Sequence, residues 1–80
     1  MKSDYAEAYS NRGVVKADLK QYKEAILDYN EAIRLKPDLA EAYNNRGLAK
    51  KALGLKEEAR TDFKTVLELS RIHISEPTSP

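Results

Sequence analysis

The 80-residue chain has no cysteine or tryptophan, and only one histidine, one methionine and one phenylalanine. Without a thiol there is no disulfide staple and no thiolate nucleophile or metal ligand. The lone His73 has no neighbouring partner for metal or general-base work. Charge of one sign is also lacking: 14 basic residues face 13 acidic ones, for a net charge of +1. That balance gives no basic footprint for nucleic acid. No apolar run is long enough to cross a bilayer, and the mean hydropathy is −0.69, so the expectation is a soluble chain, cytoplasmic by default. Phosphate-cradling glycine loops, nucleophile elbows and metal-ligand spacings are absent too. Adjacent acids such as Glu57 and Glu58 would point in different directions on a helix and do not form a catalytic pair. The expectation is a chain with no catalytic residue, no metal site and no cofactor, and so not an enzyme.

What the sequence does contain is a repetition. EAYSNRG at residues 7–13 returns as EAYNNRG at residues 41–47. Residues 6–39 superpose on 40–73 without a gap and share thirteen identities. Catalysis needs different groups converging on one point, so a duplicated phrase argues for a structural unit used twice. Each unit reads as two helices. Asp4 before Glu7, and Asp38 before Glu41, have capping-box spacing ahead of AEAYSNRGVVKADL and AEAYNNRGLAKKAL. Leu19-Lys20-Gln21 and Leu53-Gly54-Leu55 are the predicted turns, with Gly54 suited to a left-handed helix end. The second helices place Ala25, Ile26, Tyr29, Ala32 and Ile33, then Ala59, Phe63, Val66 and Leu67, on one face at helical spacing. No segment alternates in the manner of a half-buried strand.

A helix–turn–helix unit with a period of 34 residues resembles the tetratricopeptide repeat (TPR) family. The residues carrying the resemblance are the aromatics Tyr9 and Tyr43, the small Gly13 and Gly47, the alanines Ala25 and Ala59, the aromatics Tyr29 and Phe63, and the repeat-ending Pro37. The resemblance implies an all-α fold: two helix–turn–helix hairpins, four antiparallel helices in all, in a short right-handed α-solenoid. Arg12 and Arg46 stand where the family prefers leucine, and Lys16 and Lys50 where it prefers tyrosine. Both repeats depart alike, which points to an NRG-type subtype. Arg12 and Asp28 recur at the same spacing as Arg46 and Asp62, so a repeated charge pair that sets helix register is expected.

The expected organisation is a lead-in at residues 1–5, one repeat at 6–39, a second at 40–70, and a disordered tail at 71–80. Met1 falls in phase with Leu35, which fits either an internal methionine or a start codon at a repeat boundary. LSRIHISEPT resembles the translated end of a common sequencing adapter, the alternative being a native flexible tail. The expectation is a fragment of a longer repeat protein.

In function, the resemblance implies a protein–protein interaction scaffold that binds a peptide or helix on its concave face, with neither nucleic acid nor membrane as partner. The family's groove positions map onto Glu7, Ser10, Val14, Ala17 and Asp18, then Glu41, Asn44, Leu48, Lys51 and Ala52, with Asn11 and Asn45 beside them. An asparagine amide both donates and accepts, which suits an extended backbone. The family's carboxylate clamp for chaperone tails is not supported, because Ser10 and Val14 stand where its lysine and asparagine belong. The alternatives are interior repeats with a purely structural role, or a regulatory module joined to an enzyme domain outside this sequence. Two repeats fall short of the three usually needed for stability. Weak self-association through an uncapped C-terminal face is therefore expected.

Overall fold

The structure, a computed structural model, describes residues 2–75. They form four helices: α1 (Lys2–Asp18), α2 (Tyr22–Leu35), α3 (Ala40–Ala52) and α4 (Lys56–Ser75). Among the described residues there is no strand. α1 packs on α2 and α3 on α4 as two hairpins, and α2 lies against α3 to stack one hairpin on the other. α1 also touches α3, whereas α1 and α4 do not meet. Contact limited to neighbouring units is the arrangement of a helical repeat solenoid.

Small side chains set how closely these helices approach. Ala6, Ala32, Leu39 and Ala42 form one buried cluster, with Tyr9, Ile33 and Leu35 packed around it. Ala25, Tyr29 and Ala49 form the other, flanked by Ala17, Tyr22 and Ile26. Gly13 lies directly against the Tyr29 ring and Gly47 against the Phe63 ring.

Both hairpins turn in the same way. After α1, the Lys20 N–H donates to the Ala17 carbonyl at 2.9 Å and the Gln21 N–H to the Lys16 carbonyl at 2.8 Å. After α3, Gly54 and Leu55 repeat the pattern onto Lys51 and Lys50, at 2.9 and 2.8 Å. This is the Schellman arrangement, which needs a left-handed residue just past the helix. Gly54 supplies it at φ 86°, but in the first hairpin Lys20 is held at φ 64°. An L-residue there costs roughly 1–2 kcal/mol, part of which glycine's greater unfolded-state freedom takes back. Lys20→Gly should therefore raise stability by about 0.5–1 kcal/mol. An unchanged or lower midpoint in urea unfolding would contradict this.

Three boundaries differ from the sequence reading. The Asp38 capping box does not form. α1 already includes Asp4, since nothing in residues 2–5 breaks a helix, so the expected lead-in is its first turn. α3 starts after Leu39, which makes no side-chain cap, while Asp38 lies in the preceding turn. Leu39 is only 8% exposed, and its burial against Ala6 and Ala42 fixes where the helix begins. The third difference is at the C-terminus. Pro37 forces Lys36 out of the helical region, to φ −142° and ψ 89°, and so ends α2. Arg71 occupies the same place in the second repeat, and no proline or glycine interrupts residues 56–75. α4 therefore runs through to Ser75, and residues 71–75 are helical where a disordered tail was expected. The rest of that expectation, residues 76–80, lies outside the described residues.

Candidate functional site

Residues 14, 17 and 18 share one face of α1, and residues 45, 48, 49 and 52 share one face of α3, because three- and four-residue steps return to the same side of a helix. The fold brings these two faces together. Val14, Ala17 and Asp18 meet Asn45, Leu48, Ala49 and Ala52 around an open depression, with Tyr22 and Tyr29 of α2 also lining it. Its volume, about 270 Å³, falls just below the roughly 300–1,000 Å³ of small-molecule pockets. Val14 and Leu48 remain 36% and 52% exposed, so apolar surface faces water at the site. Asn45 is half-buried beside it. Burial pushes the Tyr29 phenol up to about 12, with Asp18 and Asp28 adding to the shift, so Tyr29 is a neutral group at physiological pH. Asp18 is the one carboxylate lining the depression, and among the described residues no cluster of His, Cys, Asp or Glu could hold a metal ion. The arrangement can bind, but it offers no paired acid and base.

The other expected groove residues lie elsewhere. Ser10 is fully buried, its hydroxyl 3.4 Å from Glu41 Oε2, a long contact for a hydrogen bond. α3 covers it, so it is a packing residue and not a ligand contact. Asn44, its counterpart one repeat on, is exposed. Glu7, Asn11 and Glu41 are also exposed but do not line the depression. Lys51 lines a different hollow, with Lys56, Ala59, Arg60 and Phe63.

The expected charge pairs form within each hairpin. Arg12 Nε and Nη2 donate to Asp28 Oδ2 and Oδ1 at 2.9 and 2.8 Å. Arg46 Nε and Nη2 donate to Asp62 at 2.9 and 2.7 Å. Each carboxylate has a second partner that the sequence reading missed: Lys16 Nζ at 3.2 Å from Asp28, and Lys50 Nζ at 3.3 Å from Asp62. The signal was present, since each lysine follows its arginine by one helical turn in both repeats. Arg46 also crosses the hairpin boundary to donate to Asn30 Oδ1 at 2.8 Å. Arg12 and Arg46 each lie 5.4 Å from a tyrosine ring centroid, those of Tyr9 and Tyr43. Asp28 and Asp62 are buried, and this bonding makes their burial tolerable.

The Arg12 hydrogen bond holds the Asp28 carboxyl below its usual range, assisted by Lys16 and opposed by burial. A group whose folded pKa is depressed takes up its proton more readily in the unfolded chain. Its stabilisation is present above the ordinary aspartate value, about 4, and is lost as the pH falls below it. Urea midpoints should therefore drop as the pH falls from about 4, and Asp28→Asn should flatten that part of the profile. An equally steep profile in the variant would overturn the assignment.

Comparison with known families and structures matches this architecture. The family model described as "TPR repeat" matches residues 15–54. The model described as "Tetratricopeptide repeat" matches residues 40–73. Comparison with curated proteins gives no match. A solved structure titled "Crystal structure of MamA" is 36% identical, with a TM-score of 0.83 over 86% of this chain. Another, "Crystal structure of MamA protein", is 33% identical, with a TM-score of 0.80 over 95% of this chain. The chain spans 40% and 43% of the lengths of those two chains.

Proposed function

The chain belongs to the tetratricopeptide repeat family, and on that footing we propose that it is a protein–protein interaction module that holds an extended peptide or a helix in the depression between α1 and α3. The observation that carries this reading is the meeting of both repeats at one apolar floor, Val14 with Leu48, bordered by the amide of Asn45. Asn45 would fix the ligand backbone while Val14 and Leu48 exclude water from an apolar side chain. No bond is made or broken in such binding. The test is to select binders from a random displayed-peptide library and map them on the isotopically labelled chain. Amide shifts should centre on residues 14–18 and 45–52, and Leu48→Asp should abolish binding without lowering the melting temperature. Binders that map elsewhere, or that are indifferent to Leu48→Asp, would refute the site.

A specific observation also favours the second reading, in which these are interior repeats of a larger array. Tyr5, Val15 and Leu19 on the outer face of α1 are 63%, 57% and 64% exposed. Their counterparts Leu39, Ala49 and Leu53, which lie beside the first hairpin, are 8%, 2% and 37% exposed. With Leu67 also 66% exposed at the other end, this surface supports weak self-association of the isolated chain. Sedimentation equilibrium should show the average mass rising with concentration. A strictly monomeric chain with a high, concentration-independent melting temperature would count against both the association and the missing neighbour.

A further inference from the structure

The two hairpins share a backbone plan, but their C-terminal end faces differ in chemistry. In the first hairpin, Ala17, Tyr22 and Ile26 are apolar and pack with Ala25 and Tyr29 around Ala49 of the next helix. One period later the same positions are Lys51, Lys56 and Arg60, and the floor they surround is Ala59 and Phe63. All three cations are exposed, no acidic residue lines the hollow, and among the described residues none of the three is ion-paired. The end of α4 also departs from the register of the first hairpin. α4 continues through residues 70–73, where α2 has already given way to its turn.

We propose that this end face is a second docking surface, separate from the α1–α3 depression, and that its occupant is the acidic amphipathic helix of a partner protein. The first hairpin supplies the template. There, α3 lies across the equivalent hollow and places an alanine over the alanine–aromatic floor. A helix lying the same way on the second hairpin meets Lys51, Lys56 and Arg60 at its edges, so it needs carboxylates on both sides of a small apolar centre. The chain's own α1 does not meet that need. The positions on α1 corresponding to Ala49 and Leu53 are Val15 and Leu19, with Asp18, the equivalent of Ala52, as the one carboxylate beside them. A second copy therefore sets a single negative charge against three cations. Complementary charge therefore selects a different partner over a second copy.

The probes are two synthetic amphipathic helical peptides with the same alanine–leucine seam, one flanked by glutamates and the other by lysines. Added to the isotopically labelled full chain, the glutamate peptide should shift amides between Lys51 and Phe63. Its affinity should fall at least about tenfold in about 1 M salt, where charges are screened beyond ~3 Å. The variant Lys51→Glu/Lys56→Glu/Arg60→Glu should reverse the preference in favour of the lysine peptide. A second variant, Lys51→Ala/Lys56→Tyr/Arg60→Ile, restores the letters of the first hairpin and should lose the glutamate preference without gaining charge. Equal binding of the two peptides, shifts centred on Val14 and Leu48, or no shift with either peptide would overturn the proposal. The last of these outcomes would make the cations a solvating cap. Failure here leaves the α1–α3 depression untouched, because Leu48→Asp tests that site alone.

Discussion

Asp62→Ala lowers the unfolding free energy by about 2–4 kcal/mol, measured by equilibrium urea unfolding. Asp62 is 3% exposed and receives two hydrogen bonds from Arg46 and one contact from Lys50. Removing it leaves two neighbouring cations, 18% and 14% exposed, facing a hole where a negative charge had been. Breaking one side of a buried pair typically costs about 3–5 kcal/mol. The lower range applies here because Arg46 keeps Asn30 and Lys50 keeps Glu58 at 3.7 Å. The same change in the first hairpin should cost clearly less. Around Asp28, Arg12 is 59% and Lys16 29% exposed, so both cations can turn to water once the carboxylate is gone. Both carboxylates are buried, so the sites differ chiefly in how exposed their cations are. If Asp28→Ala proved the more damaging substitution, burial would not be the cause of the difference.

Gly13→Ala is the second large effect. A Cβ at Gly13 would sit 2.6 Å from Tyr29 Cε1 and 2.9 Å from two further ring atoms. Tyr29 is 1% exposed and held between Ala25 and Ala49, so the ring has little room to retreat. Overpacking of this kind costs about 1–3 kcal/mol or more, against about 1 kcal/mol gained from alanine's better helix propensity. A net loss of about 1–2 kcal/mol is expected. At Gly47 the new Cβ would lie 2.7 Å from Phe63 Cε1, nearly as close, yet Phe63 borders the open end face and can move outward. Gly47→Ala should therefore be the milder change. Shortening the obstructing ring in Gly13→Ala/Tyr29→Leu should recover part of the loss, a coupling that a double-mutant cycle measures. Additive losses would show that the ring contact is not the cause.

The two substitutions also show what could be read from the letters alone. Arg12 opposite Asp28 depends on a contact inside one hairpin, and recurrence at a fixed spacing made it legible. Recurrence marked Gly13 and Tyr29 singly, without showing that they meet. Position 10 depended on something else. Ser10 and Asn44 are equivalent in the repeat, yet one is buried and the other exposed, because α3 covers the first and no helix in the structure covers the second. Lys51 left the expected groove for the end face for the same reason: its environment is set by whether another hairpin stacks on it. Capping spacing misled because Leu39's burial outweighed a cap, a term of typically ~1 kcal/mol. The end of α4 was misplaced because repeat identity stops before the helix does. A helix needs only the absence of a breaker to continue.

The order of contacts has a consequence for motion. Among the described residues α3 is held by α1, α2 and α4, whereas α4 is held by α3 alone. Local opening in a linear array starts at its ends, so amide exchange should be fastest along α4 and the outer turns of α1, and slowest along α3. Asn45 and Leu48 stand on that slowest helix. Half of the proposed binding floor would thus be fixed before any ligand arrives, while Val14 stands on the helix that opens more readily. A ligand spanning both would gain affinity chiefly by stilling α1, and its arrival should be visible as slowed exchange there, far more than on α3.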